Sequence, residues 1–273
     1  MIIGMRGHDF GRMQPQALAE AIREKGFCAA QLAFTKVFPE PAETYMPPER
    51  LEQIRNAFAE SGVSVPVMGC YISASDIDDA VRNEAKAQFA ASLRASVLLG
   101  AGCVGTETTP FTFAEEEREA AYARLLDFMR AVVPVAEECG AIVGIEPVAT
   151  HTLNTPEMAR RMLDDVGSDS VKIILDMVNL MTKETSSPQS QLEILERCLA
   201  LWGDRICALH IKDGVFDEAG NWVDTPIGEG IVDWKTLFPV IRARNDALCA
   251  LREGVWPGRA EEESQRLFAL VNA

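Results

Sequence analysis

The sequence is poor in positive charge and contains no closely spaced pair of cysteines. Among 273 residues, 26 are Lys or Arg and 41 are Asp or Glu, which gives a formal net charge of −15. An acidic chain of this kind repels nucleic-acid backbones and anionic lipid surfaces, so we expect neither a nucleic-acid nor a membrane partner. The cysteines number seven, no Cys-x-x-Cys occurs, and most lie in apolar runs, which is typical of reduced, buried thiols.

Long apolar runs are also missing. No stretch reaches the length that crosses a bilayer, and no basic segment followed by a long apolar stretch opens the chain. We therefore expect a cytoplasmic protein. The glycines at positions 4, 7 and 11 lack the Gly-x-Gly-x-x-Gly spacing of a dinucleotide-binding turn. No Gly-rich cradle or Arg cluster follows the last apolar runs, which counts against phosphate recognition.

What the sequence does contain is a regular alternation of apolar, β-branched runs with amphipathic stretches. Eight runs are predicted to be buried strands, at residues 2–5, 28–34, 63–69, 103–106, 141–146, 171–176, 206–211 and 247–253. Strands that alternate with helices form a parallel sheet. Eight such units in this length fit a single (β/α)₈ TIM barrel of the α/β class over residues 1–273. An open doubly wound sheet is the structural alternative.

The connecting segments carry helix and loop signals. The longest helix is predicted over residues 114–139, with Thr112 and Glu115 as a capping box at its start. Glycine residues are expected to end four of the helices, at positions 26, 62, 100 and 140. Residues 213–232 are rich in Gly and follow the seventh strand, so we predict a long loop that can fold over the mouth of the barrel.

The most informative residues stand at the ends of the last four predicted strands. They are Glu146, Asp176, His210 and Glu253. The C-terminal strand ends of such a barrel face one pocket, so these side chains should converge. Two Glu, one Asp and one His make an oxygen-rich site with one nitrogen. This composition predicts one divalent metal ion, Mn²⁺ in the first place, with Mg²⁺, Co²⁺ and Zn²⁺ as alternatives.

Each of these four residues also has a purely structural interpretation. Glu146 can form a salt bridge, Asp176 can cap the next helix, His210 can be a hydrogen-bonded core histidine, and Glu253 can pair with Arg252. Taken singly, these interpretations are the ordinary ones. Four ligand-type residues at four successive strand ends nevertheless favour a metal site.

Short motifs around these residues resemble a known family. The motifs are Gly-Ile-Glu-Pro, Ile-Leu-Asp-x-x-Asn, Leu-His-Ile-Lys-Asp and Pro-Ile-Gly-Glu-Gly-Ile-Val-Asp-Trp. Their order and spacing resemble the xylose-isomerase-like TIM barrel superfamily, in particular its sugar phosphate isomerase/epimerase family. The resemblance implies that one divalent ion is held by Glu146, Asp176, His210 and Glu253. It also implies that the two glutamates act as an acid/base pair on opposite faces of the substrate carbon, and that homo-oligomers are common.

The function implied by this resemblance is a metal-dependent isomerase or epimerase that moves a proton next to the carbonyl of a keto-sugar or cyclitol. Two departures leave alternatives open. Ketose epimerases often have a His where this sequence has Asn179, and an Arg beyond the His ligand, where it has Lys212. A metal-dependent lyase or dehydratase acting on a keto-polyol or 3-keto-glycoside is one alternative, and a non-catalytic sugar-binding or partner subunit is another. The endonuclease branch of the superfamily needs many His ligands, and this chain has three.

Five further residues near strand ends are predicted to contact a small carbohydrate substrate: His8, Glu107, His151, Asn179 and Lys212. His8 and His151 are candidates for an additional base, and Glu107 for a hydroxyl acceptor. Lys212 is two residues beyond the histidine ligand and so on the same side of its strand. It can hold a substrate oxygen or offset the acidic charge. Surface positions for the two histidines and a capping role for Glu107 are the simpler interpretations.

Overall fold

The computed structural model describes residues 1–273 and contains a closed parallel barrel of eight strands. Around the barrel the strands follow chain order, and the last pairs with the first. The predicted (β/α)₈ TIM barrel is therefore confirmed, and the open sheet is excluded. The barrel strands are β1 (Ile2–Arg6), β2 (Ala29–Leu32), β3 (Ser64–Gly69), β4 (Cys103–Glu107), β5 (Val143–Glu146), β6 (Val171–Asp176), β7 (Ile206–Ile211) and, after a two-stranded hairpin, β10 (Cys249–Arg252).

Nine α-helices connect and surround the strands. They are α1 (Pro15–Glu24), α2 (Phe34–Val37), α3 (Pro48–Glu60), α4 (Asp79–Leu99), α5 (Arg118–Cys139), α6 (Pro156–Val166), α7 (Pro188–Trp202), α8 (Trp234–Arg244) and α9 (Ala260–Val271). No helix has both the length and the apolar character needed to cross a membrane. Most of the apolar core lies between the helices and the outer face of the barrel, in a cluster of 66 buried residues.

The interior of the barrel is narrow and filled by small side chains. A separate cluster of seven buried residues, including Val67, Cys103 and Ile174, occupies it. A Cβ placed on Gly105 would lie 2.6 Å from the Val67 Cγ1 atom and 2.8 Å from the Ile174 Cδ1 atom. Glycine on β4 therefore makes room for the branched side chains of its neighbours. Such packing closes the barrel below its C-terminal mouth.

The helix ends agree with the sequence signals in one respect and differ in another. All four expected glycines have a positive φ, for example 74° at Gly100 and 73° at Gly140. The predicted capping box is wrong, because α5 begins at Arg118 after a 3₁₀ turn and has no side-chain cap. The carboxylate of Glu115 accepts a 2.8 Å hydrogen bond from Arg118. This local ion pair replaces the hydrogen bond that would have reached back to Thr112.

Residues 213–232 form an ordered structure at the barrel mouth. They contain the hairpin strands β8 (Gly214–Phe216) and β9 (Trp222–Asp224), which are antiparallel. The fully buried carboxylate of Asp213 accepts hydrogen bonds from the amides of Gly228, Gly230 and Val232, at 2.7, 3.2 and 3.3 Å. The Asp213 side chain thus connects the beginning of the predicted loop to its last five residues.

A buried ion pair fixes the same region to the last helix. Arg252 and Glu263 are 0% and 1% exposed, and the Arg252 Nε atom lies 3.0 Å from the Glu263 Oε2 atom. Arg252 also donates to the carbonyl oxygen of Thr225, and Glu263 accepts from the amide of Ile227. The two charges are therefore paired, and both side chains also hydrogen-bond to the loop. The Glu263 Oε1 atom is buried without a hydrogen-bond partner, so the pair meets only in part the need of a buried ion pair for fully satisfied polar atoms.

Candidate active site

The four predicted ligand residues lie together at the C-terminal mouth of the barrel. Glu146 ends β5, Asp176 ends β6, His210 is the penultimate residue of β7, and Glu253 directly follows β10. All four are buried, with exposed fractions between 1% and 6%. Parallel pairing places Asp176 opposite His210 in register. Neighbouring strands that end at the same level bring these residues together, although their positions in the sequence are far apart.

The side chains meet at His210. Its Nδ1 atom lies 2.8 Å from the Glu146 Oε2 atom and 3.4 Å from the Glu253 Oε1 atom. Ligand atoms of Glu146, Asp176 and His210 all lie within 4.8 Å of one another. We call these three residues and Glu253 the acidic cluster. Both glutamates approach the same imidazole, although they belong to strands on either side of β6 and β7.

The cluster has the donor atoms that a divalent ion requires. Both ring nitrogens of His210 are buried without a hydrogen-bond partner, and the buried Asp176 Oδ2 atom has only an ion-pair contact, with the Lys212 ammonium at 3.0 Å. The short contact between His210 and Glu146 is thus electrostatic and lacks the alignment of a hydrogen bond. Buried polar atoms without partners are costly, and a metal ion satisfies them. The residues present therefore fit an oxygen-rich site with one imidazole nitrogen.

Lys212 places its ammonium group inside the acidic cluster. The Nζ atom lies 3.0 Å from the Asp176 Oδ2 atom and 3.0 Å from the Glu253 Oε2 atom. It also donates a 2.9 Å hydrogen bond to the side-chain oxygen of Asn179. Burial lowers the pKa of Lys212, but the charges of Asp176 and Glu253 outweigh it and hold that pKa above its ordinary value. The cluster therefore contains a fixed positive charge contributed by the chain.

Asn179 forms hydrogen bonds with Glu146, Asp176 and Lys212. Its side-chain amide donates a 2.6 Å hydrogen bond to Glu146, and its backbone amide donates a 3.1 Å bond to Asp176. Because its side-chain oxygen accepts from Lys212, every polar group of Asn179 near the cluster is engaged. An amide at this position holds Glu146 and Lys212 in place without adding a charge.

Arg6 and Asp9 support Glu253 from the first strand. The Arg6 Nη1 atom lies 3.6 Å from the Glu253 Oε2 atom, and the Arg6 Nε atom donates to Asp9 at 2.8 Å. Burial acts to raise the pKa of Glu253, but the charges of His210, Lys212 and Arg6 bring it to about 2. Glu253 is therefore an anion throughout the neutral range.

The pKa values of Asp176 and His210 shift in the opposite direction. Burial raises the pKa of Asp176 to about 6. The charge of Lys212 opposes this rise, and the charges of Glu146 and Glu253 add to it. Burial lowers the pKa of His210, but the charges of Glu146 and Glu253 overcome it and raise that pKa to about 9. In the protein without a metal ion, His210 is therefore a cation that partly neutralises its neighbours.

The other predicted contact residues lie around the mouth rather than in the cluster. Glu107 ends β4 and pairs in register with Glu146. His151 is buried, and its Nε2 atom lies 3.8 Å from the Glu107 Oε2 atom. His8 follows β1, and its buried Nδ1 atom has no hydrogen-bond partner. Burial, followed by the charges of Arg6 and nearby Lys36, lowers the pKa of His8 to about 4, so its imidazole is neutral at pH 7.

Two residues of this mouth were missed by the sequence analysis. Tyr71 follows β3, and burial together with the charge of Glu253 raises its pKa. Gln31 on β2 donates a 3.3 Å hydrogen bond to the Tyr71 hydroxyl, while its own Oε1 atom is buried without a partner. The strand-end rule that found the acidic cluster also applies to β2 and β3. Neither an amide nor a phenol, however, stands out in a sequence as a metal ligand.

In the metal-free protein, replacing Glu107 by Gln is expected to change how stability depends on pH. Burial and the charge of Glu146 raise the pKa of Glu107 from 4.5 to about 7. The folded state therefore favours the neutral acid, and its stabilising contribution is present below pH 4.5 and lost as the pH rises through about 7. Urea unfolding at pH 5 to 8 with a chelator should show a shallower loss of stability in Glu107→Gln than in the native protein.

The control for this measurement is Glu116→Gln, which alters an exposed glutamate in the turn before α5. It should keep the native slope of stability against pH. Equal slopes for Glu107→Gln and the native protein would show that Glu107 does not titrate in this range.

Comparison with known proteins finds relatives that are named as sugar epimerases. A D-psicose 3-epimerase of Enterocloster bolteae is 27% identical over 159 residues, which are 57% of this chain and 47% of that protein's length. The match thus spans about half of the relative. The crystal structure of a 3-keto-D-glucoside 4-epimerase from E. coli covers all of both chains, with a TM-score of 0.77 and 20% identity.

A second solved structure of the same fold contains a metal ion. It is a xylose isomerase-like TIM barrel protein from Mycobacterium smegmatis in complex with magnesium, with a TM-score of 0.69 and 18% identity over 99% of this chain and 97% of that one. The family model described as "Xylose isomerase-like TIM barrel" matches residues 19–269. This range includes the acidic cluster and nearly all of the barrel. The chain is therefore a member of the xylose isomerase-like TIM barrel family.

Proposed function

We propose that the protein is a divalent-metal-dependent epimerase or isomerase of a keto-sugar. The observation that carries the proposal is the convergence of Glu146 and Glu253 on one imidazole, at 2.8 and 3.4 Å, from strands at the two ends of the cluster. A two-base proton transfer requires two carboxylates on opposite faces of one carbon, and two glutamates that approach the site from different strands can flank a carbon bound between them. The epimerase names of the relatives support the same reaction class.

In the proposed reaction one glutamate removes the proton from the carbon next to the carbonyl, and the other returns a proton to the opposite face. Glu253 is ionised at neutral pH, which is the protonation state that a general base must have. Asn179 fixes Glu146 through a 2.6 Å hydrogen bond, which limits the directions from which it can approach the carbon. Asp176 and His210 are proposed as ligands only. A bound divalent ion supplies Lewis-acid polarisation of the carbonyl oxygen, which makes the neighbouring C–H bond more acidic.

The residues around the cluster are proposed to orient the sugar. Lys212 offsets the negative charge of three carboxylates and can donate to a substrate oxygen. Glu107 and the neutral imidazole of His151 offer hydrogen bonds to hydroxyl groups on the β4 side, and neutral His8 does so beside β1. We propose Mn²⁺ as the ion, because three carboxylates and one imidazole suit a metal of intermediate hardness.

The test of the proposed function is incubation of the metal-loaded protein with keto-sugars in D₂O. D-Psicose, D-fructose and 3-keto-D-glucosides are suitable substrates, and the products are analysed by NMR and mass spectrometry. Epimerisation with one deuterium incorporated at the inverted carbon is expected. Loss of water or of an aglycone would instead identify the lyase alternative, and absence of both exchange and product would support a non-catalytic protein.

Metal binding provides an independent prediction. Lys212→Met is expected to tighten Mn²⁺ binding, because the Lys212 ammonium lies 3.0 Å from two carboxylate oxygens that the ion would use. Asp176→Asn should weaken binding, since it removes a charged ligand atom. The affinity can be measured by titration calorimetry or by the EPR signal of free Mn²⁺. Lys183→Met, which changes an exposed lysine bonded to backbone carbonyls, is the control. Unchanged affinity in Lys212→Met would show that the ion and the ammonium do not compete.

A further inference from the structure

A cavity of about 440 Å³ lies beside the acidic cluster, over the C-terminal ends of β3 and β4 and the first turns of α4. Its polar lining includes Ser73, Glu84, Gln88, Glu107, Thr108 and His151. Glu107 pairs in register with Glu146, so the cavity begins next to the residues that would hold the metal. The volume lies within the range of about 300–1,000 Å³ that is typical of small-molecule sites.

The cavity continues toward α2 and α4. A second cavity of about 350 Å³ shares Tyr71, Glu84 and Gln88 with the first. A single hexose ring at the acidic cluster would leave this region along α4 open. The shape therefore accommodates a substrate that is longer than one sugar ring.

The lining carries hydrogen-bonding groups but no positive charge. None of the lining residues of the first cavity is Lys or Arg. The arginines nearby are engaged elsewhere: Arg118 donates to the carbonyl oxygen of His151 at 2.9 Å, and Arg124 to that of Ser75 at 3.0 Å. Burial lowers the pKa of His151, so this imidazole is neutral as well. Lys36 lies outside the lining, with its Nζ atom 3.6 Å from the centre of the Tyr71 ring. A lining with two carboxylates and no Lys or Arg disfavours a phosphate group and suits the hydroxyls of a neutral sugar.

Two residues of α4 are placed to bind such hydroxyls. Glu84 and Gln88 are four positions apart and therefore project from the same face of the helix into both cavities. Lys86, between them in sequence, pairs with Asp127 at 2.5 Å and does not line either cavity. The carboxylate of Glu84 can accept hydrogen bonds, and the amide of Gln88 can both donate and accept them.

We propose that this cavity is a second sugar-binding subsite, which holds the neutral glycosyl or similar polyhydroxylated group of a glycoside. The reacting ring lies at the acidic cluster, and the attached group extends past Glu107 to Glu84 and Gln88. The proposal rests on the proposed function for the position of the reacting ring. It selects glycosides over both free monosaccharides and sugar phosphates as the substrate class.

The test measures binding rather than turnover. Maltose, cellobiose, lactose and trehalose are each compared by titration calorimetry with the matching methyl glycoside, using the metal-loaded protein. At least one disaccharide is expected to bind about tenfold more tightly or better than its methyl glycoside, because the second ring adds hydrogen bonds to a charged acceptor. Glucose 6-phosphate is expected to bind more weakly than any of them.

Substitutions in α4 test whether Glu84 and Gln88 provide the affinity gained from the second sugar ring. Replacing both Glu84 and Gln88 by Ala should remove the gain from the second ring and leave the affinity for the methyl glycoside unchanged. Lys86→Ala, on the same turns of α4, should keep the gain. If no disaccharide binds more tightly than its methyl glycoside, or if none binds, the subsite is refuted. It is equally refuted if the gain survives in the double variant.

These outcomes are separate from a failure of the proposed reaction. If deuterium exchange is absent in all keto-sugars but the affinity gain from a second ring depends on Glu84 and Gln88, the catalytic proposal fails and the subsite stands. If exchange occurs on D-psicose and no affinity gain is found, the catalytic proposal stands and the subsite is refuted.

Discussion

Replacing Glu146 or Glu253 by Gln should lower epimerisation by at least about 10²–10⁴-fold, the usual contribution of a positioned acid or base. Glutamine keeps the size of the side chain and its hydrogen-bonding oxygen but cannot accept the proton. Because both residues lie at strand ends on a rigid barrel, the fold should remain intact, as judged by circular dichroism and thermal unfolding. Turnover is measured with the best substrate found in D₂O.

The two single variants should also differ from each other. In a two-base mechanism each glutamate serves one face of the carbon, so each variant should retain deuterium exchange into only one of the two epimers. Loss of epimerisation with exchange preserved in one epimer would assign a face to each residue. Full activity in either variant would refute the acid/base roles. Glu116→Gln, which changes an exposed glutamate, should have native kinetics.

Replacing Arg252 by Met should destabilise the protein by about 3–5 kcal/mol, which is the usual cost of leaving one partner of a buried ion pair uncompensated. Glu263 is 1% exposed and would lose its only charged partner, together with the link through Arg252 to the carbonyl of Thr225. The free energy of unfolding is obtained from urea denaturation at constant metal concentration.

Two controls distinguish burial of a charge from simple loss of contacts. The double variant Arg252→Met with Glu263→Leu should recover much of the lost stability, because neither charge remains buried. Arg259→Met removes a more exposed arginine that pairs with Glu229 and Glu262, and pairs of that kind contribute about 0–1 kcal/mol. If Arg252→Met cost no more than Arg259→Met, the buried pair would not stabilise the fold.

The sequence was sufficient to predict the barrel and the residues that gather at its mouth. Short β-branched runs have few alternatives to buried parallel strands, and the direction of parallel strands determines which ends meet. Residues such as Glu146 and Glu253, distant in sequence, could therefore be placed together without tertiary information. Their roles in proton transfer remain predictions.

Other features depend on tertiary contacts that a sequence does not display. The capping box at Thr112 fits a local rule, but Arg118 engages Glu115 and the helix starts later. Lys212 directly follows β7, and the two-residue period of a strand predicts that it faces the same side as His210. Its distances to Asp176 and Glu253 could not be predicted, because they depend on how three strands are staggered around the barrel.

The alternation of side chains along a strand has a consequence at residues 252 and 253. Arg252 points outward into the buried ion pair, whereas Glu253 points inward to the cluster, and Arg252 also donates to the carbonyl oxygen of Glu253. An outer-layer substitution near α9 can therefore alter the position of Glu253, the proposed catalytic carboxylate, without touching the mouth of the barrel. In directed evolution, residues of α9 and the hairpin that contact Arg252 are accordingly sites where activity can be changed from outside the substrate cavity.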